Sequence, residues 1–376
     1  MIKQITFFIS SLRMGGAEQV CVTVANGLAN RGWAVTVVVL NLDDAVLAKH
    51  LADDVTLHNL GYRHARTAIR SIFRYLNLEN PRAILVFNHQ LAVLCVAIRF
   101  ITRKRFAIIA RSINNLSEKR HREPSSWHKY VVGNIVKYFF RKADFFVAQC
   151  NAMSEDLVRK YSVNPNRCTV IYNPINASIE SFSDIALREG SEDYILCVGK
   201  LTAQKAFHYA IRAFSEVSVT FPALRLKIIG DGEQRSELEK LVESLGLRDK
   251  VSFLGRQRNV ASFMVNAKMT LLTSIYEGLP NVLLESIAVG TPVVAFDCRT
   301  GPAEIIIEEV NGFLVPLENL ELLSRGIHKA MVTPWDKSQI SLTAEVYKSE
   351  HAIRAYERVA LDAHRFVTEE PRTLNQ

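Results

Sequence analysis

Apolar positions in the first half of the chain fall into short runs separated by amphipathic stretches. The run over 5–10 predicts a strand. Val20, Thr23, Val24, Gly27 and Leu28 then recur at helical spacing, Gly32 stops the helix, and 35–40 is the next strand. Further strands are predicted at 55–57, 83–87, 106–110, 144–148 and 168–172, with amphipathic stretches between most of them. Repeated β-then-α alternation implies a parallel sheet covered on both faces.

The rhythm restarts after residue 190. Strands are predicted at 194–198, 224–229, 251–254, 269–273 and 292–296. Phe207, Ala210, Ile211, Phe214 and Val217 make one helical stripe, and Leu238, Leu241, Val242 and Leu245 make another, ended by Gly246. Residues 173–190 lack this rhythm and hold Pro174, several serines and mixed charge. The expected organisation is therefore a first α/β domain over 1–172, a linker over 173–190 and a second α/β domain over 191–342. A C-terminal segment, 343–376, carries a long helix over about 343–366, and sequence leaves open whether it returns to the first domain.

Composition narrows the class without changing this picture. At ~150 residues per domain, 376 residues make two to three domains. With 48% hydrophobic and 22% charged residues the chain is globular rather than disordered. Its apolar run over 91–98 is under half the ~18 residues of a membrane span. The apolar residues 2–9 lead into a turn-rich Ser-Leu-Arg-Met-Gly-Gly, not a signal-peptide cleavage site. No two of the six cysteines form a Cys-x-x-Cys pair, which reads as reduced core residues of a cytoplasmic protein.

Ligands of open α/β sheets bind beyond the carboxyl ends of the strands. In the first half those ends are 12–16, 88–89, 111–115 and 149–151. In the second they are 199–205, 230–232, 255–257, 274–281 and 297–301. Gly15-Gly16 closes the first strand and opens the first helix, where backbone N–H groups favour an anion. It lacks the dinucleotide G-x-G-x-x-G pattern, and a plain tight turn fits it equally well. Lys200 and Lys205 follow a strand and suit a pyrophosphate both bound and departing, although surface lysines are commonly just solvated. The stretch from Ser274 to Glu285, Ser-Ile-Tyr-Glu-Gly-Leu-Pro-Asn-Val-Leu-Leu-Glu, is the most informative. Pro280 and Asn281 suit a helix start, so Glu277 lies in the loop before it and Glu285 within it. A carboxylate accepts two hydrogen bonds from vicinal hydroxyls of a ribose or hexose. The backbone of Gly278, Leu279, Pro280 and Asn281 faces sugar and phosphate oxygens.

These motifs, in this order, resemble family 4 of the retaining glycosyltransferases, whose GT-B architecture has two facing Rossmann-like domains with a cleft between them. The resemblance runs from the Ser-Leu-Arg-Met-Gly-Gly-Ala-Glu of 11–18 to the Asn-Gly-Phe-Leu-Val-Pro of 311–316. It is strongest in the Glu-x7-Glu motif from Glu277 to Glu285. It implies that Gly16, beside Gly15, meets the donor diphosphate, that Lys200 and Lys205 hold it, and that Glu285 binds the ribose diol. Glu277 would take the transferred sugar, and Arg256 and Gln257 the base. Lys200, Lys205 and Glu277 form the implied catalytic set. The chain departs from most relatives at Lys200, usually Arg, and at Ala206, usually Gly. The Asp297–Ile306 stretch resembles the branch that uses UDP-sugars to build bacterial surface polysaccharides, lipopolysaccharide and lipid-linked oligosaccharides. No Asp-x-Asp motif occurs, so no metal and no cofactor beyond the nucleotide sugar is expected.

Net charge is +8, but it is localised. Residues 99–144 hold twelve Lys and Arg against three Asp and Glu, a net +9 that leaves the rest near −1. Trp127, Tyr130, Tyr138, Phe139 and Phe140 interleave with these cations. Such a surface, from Arg99 to Lys142, suits an anionic membrane or a lipid-linked glycan acceptor, with an ordinary solvated basic face as the plain reading. No nucleic-acid recognition motif accompanies it. His89, Arg111 and Asn114 end strands of the first domain and are assigned to the acceptor side. His89 fits an orienting role or a structural one. The expectation is a UDP-sugar-dependent transferase peripheral to the inner face of the cytoplasmic membrane. A GDP-mannose transferase and a non-catalytic nucleotide-sugar binder are the alternatives.

Overall fold

The structure, a computed structural model, describes residues 3–112, 133–180 and 192–369. The chain divides into two compact units, Met1–Pro174 with Ser349–Gln376, and Ile175–Lys348. The first crosses from β1 (Gln4–Ile9) through α1 (Gly16–Ala29) to β2 (Ala34–Val39) and β3 (Thr56–Asn59). It continues through α2 (Ile69–Leu78), β4 (Ala83–Val86), α3 (His89–Thr102) and β5 (Ala107–Arg111). After α4 (Gly133–Phe140) come β6 (Phe145–Ala148), α5 (Asn151–Tyr161) and β7 (Cys168–Val170). The strands pair in parallel in the order β3-β2-β1-β4-β5-β6-β7. β4 and β5 are buried along their whole length, the signature of a sheet covered on both faces.

The second unit holds β8 (Tyr194–Val198), α6 (Phe207–Thr220), β9 (Arg225–Ile229), α7 (Arg235–Ser244), β10 (Val251–Gly255) and α8 (Val260–Asn266). It goes on through β11 (Met269–Leu272), α9 (Asn281–Ala288), β12 (Val293–Asp297) and β13 (Gly312–Pro316), then α10 (Leu320–Val332) and α11 (Lys337–Leu342). Its parallel sheet runs β10-β9-β8-β11-β12-β13. In both sheets the direction of winding reverses once, between β1 and β4 and between β8 and β11. Crossovers leave in opposite directions there and open a crevice at the strand ends. Gly15-Gly16 and His89 lie at the first of these points, and the lysine loop and the Glu277 loop at the second.

Two elements differ from the sequence reading. β13 was not expected, because a five-residue run opened by Gly312 and closed by Pro316 looks like a loop. It is an edge strand in register with β12, where a terminal proline is tolerated. The long helix, α12 (Ser349–Glu369), begins six residues later than its periodicity suggested. Asp336 accepts from the N–H groups of Ser338 and Gln339 and starts α11 as a separate element, and a single turn at Glu345–Tyr347 intervenes.

Helix α12 belongs to the first unit, where Ala352, Tyr356, Val359, Ala360 and Ala363 join the core of β1, β2 and α1. Glu357 fixes its outer face, accepting from Lys3 at 3.1 Å, Arg31 at 2.8 Å and Trp33 Nε1 at 3.1 Å. Of the linker stretch, 173–174 fall in the first unit and 175–180 in the second; residues 181–191 lie outside the described residues. Among the described residues the six cysteines form no disulfide, and of the six only Cys168 is not buried.

Candidate active site

Three strand-end loops of the second unit interlock. Gly230, at the end of β9, packs so close to the β8 loop that a Cβ there would lie 1.8 Å from the Gly199 carbonyl oxygen. Only glycine fits. The β8 loop is also stitched to the β11 loop. Ile275 N–H donates to the Gln204 carbonyl at 2.9 Å, Gln204 Nε2 donates to the Tyr276 carbonyl at 2.8 Å, and Thr273 Oγ1 donates to the Lys205 carbonyl at 3.0 Å. Thr300, after β12, holds the same loop from its other side through a 2.5 Å bond to the Glu277 carbonyl.

This stitching brings Lys205 and Glu277 together, with Nζ donating to Oε1 at 2.5 Å. The pair is largely enclosed, with side-chain exposures of 19% and 9%. Sequence assigned these two residues separately, to diphosphate and to sugar, and did not foresee that they pair. Lys200 is exposed and makes no ion pair among the described residues, so its ammonium is open to an incoming anion. Gly278 and Leu279 lead into α9, where Pro280 is the N-cap and Asn281 the first helical residue.

Glu285 lies one turn further along α9. Among the described residues its carboxylate has no hydrogen bond or ion pair. Part of its surface stays exposed, yet the surrounding protein displaces enough water to push its carboxyl up to about 7. A carboxylate held dehydrated and unpaired is primed to accept hydroxyl donors. Arg256 is exposed without an ion pair among the described residues. The Gln257 amide is turned onto its own loop, donating to the Leu254 carbonyl at 2.6 Å.

Ala206, the N-cap of α6, has φ 45° and ψ 44°, the left-handed region that disfavours a Cβ. The Ala206→Gly variant is expected to raise stability by about 1 kcal/mol, read as a shifted urea midpoint with unchanged slope.

In the first unit, Gly15 caps α1 with extended backbone and Gly16 opens the helix. The carboxylate of Glu18 folds back over this helix start. A Cβ on Gly15 would lie 2.3 Å from Glu18 Oε2. Burial raises the Glu18 pKa, opposed by its own backbone N–H and by Arg111. The anion site expected at Gly15-Gly16 thus carries an internal carboxylate, which sequence reading missed. The signal was available, since a Glu three residues after the N-cap is the capping-box position.

His89 is half-buried in the first turn of α3, behind Asn88, whose side chain accepts from the Gln90 N–H at 2.8 Å. Arg111, assigned to the acceptor side, is 1% exposed. Its Nε donates to Tyr356 Oη at 2.9 Å, its Nη2 donates to Asn173 Oδ1 at 2.7 Å, and its plane lies over the Phe87 ring. Asn173 passes the network on to Gln149. This guanidinium ties β5 to α12 and to the end of the first unit. Arg111→Met strands two buried polar partners and is expected to cost roughly 3 kcal/mol, a fall in Tm of roughly 6–12 °C. Asn114 lies outside the described residues.

The basic segment divides likewise. Arg99 is structural, paired with Asp144 and donating to the carbonyls of Phe106 and Lys142. Arg103 and Arg105 are exposed, and Arg141 and Lys142 flank the Tyr138 ring. Residues 113–132, with Trp127 and Tyr130, lie outside the described residues. Among the described residues no group of three His, Cys, Asp or Glu could hold a metal ion.

Two Rossmann-like units, with a lysine–glutamate pair on the strand-end loops of the second, have the architecture of a GT-B glycosyltransferase. Comparison with known proteins names the family. Residues 14–179 match Glycosyltransferase Family 4 and residues 178–346 match Glycosyl transferases group 1, so the chain belongs to these glycosyltransferases. It is similar to the N-acetylgalactosamine-N,N'-diacetylbacillosaminyl-diphospho-undecaprenol 4-alpha-N-acetylgalactosaminyltransferase of Campylobacter jejuni. That relative is 28% identical over 87% of this chain and 89% of its own. Among solved structures, a glycosyltransferase from Rickettsia africae matches with a TM-score of 0.77 and 16% identity over 98% of this chain and 99% of its own. HepE from Anabaena, in complex with UDP and glucose, matches with a TM-score of 0.71 and 20% identity over 98% of both chains.

Proposed function

We propose that this glycosyltransferase moves a hexosyl or N-acetylhexosaminyl group from a UDP-sugar to a lipid-linked glycan, with retention and without a metal ion. The observation that carries the donor half is the meeting of Lys205 with Glu277 beside the unpaired Lys200. An arriving donor offers each partner a better match. Lys205 turns to the diphosphate with Lys200, and Glu277 accepts from hydroxyls of the transferred sugar. Glu285 takes the ribose diol, and the segment at Arg256 and Gln257 meets the base.

In the reaction the bond from the anomeric carbon to the diphosphate oxygen breaks. The acceptor oxygen bonds on the same face, and its proton passes to the departing diphosphate. The two ammonium groups stabilise the charge that grows there, the work a divalent cation does elsewhere. UDP as carrier is supported by the UDP held in the HepE structure, and a lipid-linked acceptor by the diphospho-undecaprenol in the name of the Campylobacter relative. Among the described residues no helix is long and apolar enough to cross a membrane. The reading places the enzyme on the cytoplasmic face, reached through the basic surface around Arg103 and Arg105.

The test is thermal protection by a panel of UDP- and GDP-sugars in EDTA. At a hundredfold excess over Kd, the correct donor adds about 2.7 kcal/mol, roughly 5–10 °C in Tm. Protection by GDP-mannose alone would favour the mannosyltransferase reading. Loss of transfer in EDTA, restored by Mg²⁺, would overturn the metal-free mechanism. Protection without turnover of a labelled donor on any lipid-linked acceptor would point to a non-catalytic binder.

A further inference from the structure

Lys205 and Glu277 satisfy each other in the empty site, and not every ligand that enters can satisfy both. Nζ lies 2.5 Å from Oε1, and among the described residues neither charged group has another hydrogen bond or ion pair. The pair is enclosed, with Glu277 only 7% exposed as a residue. An ion pair in such a place contributes little while both partners are present. Removing one partner is costly, because the other is left dehydrated and uncompensated. A ligand that draws the ammonium away therefore binds well only if it also gives the carboxylate new donors.

Both main chains are pinned, so the exchange falls to the side chains. The Lys205 carbonyl accepts from Thr273 and the Glu277 carbonyl from Thr300. Gln204 and Tyr276, the residues before each, are bonded to one another. The lysine stem runs over Gly199, where a Cβ would lie 3.2 Å from Cε and 3.4 Å from Cδ. Glycine leaves the stem room to turn, and lysine, with its flexible chain, is the partner that moves.

A nucleotide sugar and the bare nucleoside diphosphate then differ at one residue. Both offer phosphate oxygens to Lys205 and to the exposed Lys200. Only the nucleotide sugar offers the hydroxyls of a transferable sugar to Glu277. We infer that Glu277 competes with the diphosphate for Lys205, so that the site grips a nucleoside diphosphate tightly only while a sugar is attached, and re-formation of the pair expels the product after transfer. The inference concerns release from the donor site proposed above and rests on that reading. Every residue it uses lies in the second unit.

The test is a double-mutant cycle on the full chain, with UDP and inorganic pyrophosphate as ligands and calorimetry as the readout. Glu277→Gln frees Lys205 and is expected to bind both ligands about tenfold more tightly than the parent, or better. Lys205→Met should bind them more weakly, and adding Glu277→Gln to it should bring no tightening. Glu277→Asp, one methylene too short to keep the contact, should tighten UDP in the same direction and serves if the glutamine variant does not fold. The UDP-sugar that best protects the parent should bind it about tenfold more tightly than UDP, a preference that Glu277→Gln abolishes. Unchanged or weaker UDP binding by the Glu277 variants would overturn the inference. So would a parent that holds UDP as tightly as the sugar donor. Equal tightening with and without Lys205 would overturn it too, since the effect would then be plain removal of a negative charge. Lys205-dependent tightening of pyrophosphate in a protein that binds no UDP would support the exchange and overturn the UDP reading alone.

Discussion

Replacing Lys205 with alanine is expected to lower kcat by 10²- to 10³-fold while changing donor affinity by about tenfold or less. In the donor-free protein this ammonium is already committed to Glu277 at 2.5 Å, so binding exchanges one anionic partner for another and gains little. The gain comes later, as negative charge accumulates on the leaving diphosphate. A single preorganised donor aimed at such charge contributes about 10² to 10³ in rate. The loop around Lys205 is stitched to the Glu277 loop through Gln204 and Thr273, so the ammonium needs little reorganisation during the reaction. Lys200 is exposed and not held in this way, and Lys200→Ala should cost roughly tenfold. The variant also leaves Glu277, 7% exposed, without its counter-ion, so stability must be measured beside the kinetics. Steady-state kinetics with the donor identified in the panel separates the possibilities. A rise in KM at unchanged kcat would mean that Lys205 binds ground and transition states equally and takes no part in departure of the leaving group.

Much of this site was legible because glycines, lysines and carboxylates collect at strand ends, where alternation of apolar and polar runs had already placed the parallel sheets. Glu277, Glu285, Lys200 and Lys205 were singled out by their place at strand ends and their chemical type, and their proposed roles by the resemblance to family 4. What spacing cannot show is which loops touch. The Lys205–Glu277 pair depends on Gln204 bonding across 72 residues to the Tyr276 carbonyl, and neither residue advertises that contact. Arg111 was read as a ligand-facing cation because it ends a strand. The sequence does not reveal that Tyr356, 245 residues away, returns on α12 to accept from it. A strand-end arginine is open to substrate only if no later element covers it. The basic segment overstated its surface charge as well, since Arg111 is spent on Tyr356 and Asn173, and Arg99 on Asp144 and the carbonyls of Phe106 and Lys142. Glu18 shows the opposite failure: the capping pattern was local and visible, but the glycines beside it drew the attention to an external anion.

Glu285 joins function to pH, and Glu285→Gln should make the donor-free protein more stable while weakening donor binding. Dehydration raises the carboxyl to about 7 in the folded chain, against ~4.3 in an unfolded one. Between these values the folded state binds more protons than the unfolded state, so this group makes stability fall as pH rises. Its penalty is absent below the unfolded pKa, about 1 kcal/mol at pH 5, and about 3 kcal/mol once pH exceeds 7. A glutamine, neutral throughout, escapes it. The variant should therefore gain about 3 kcal/mol over the parent at pH 8 and about 1 kcal/mol or less at pH 5, read from urea midpoints at both pH values. Donor binding should respond in the opposite sense. The ionised carboxylate accepts both ribose hydroxyls, so parent affinity should climb as pH passes 7, with proton release on binding at lower pH. Losing these charge-assisted bonds costs roughly 1.5–3 kcal/mol, about ten- to a hundredfold in Kd, with glutamine at the lower end and alanine at the upper. Calorimetry in two buffers of different ionisation enthalpy would detect the released proton. A glutamine variant that binds donor like the parent would remove Glu285 from the ribose. One with no stability gain at pH 8 would show that the carboxyl is not held dehydrated in the empty site.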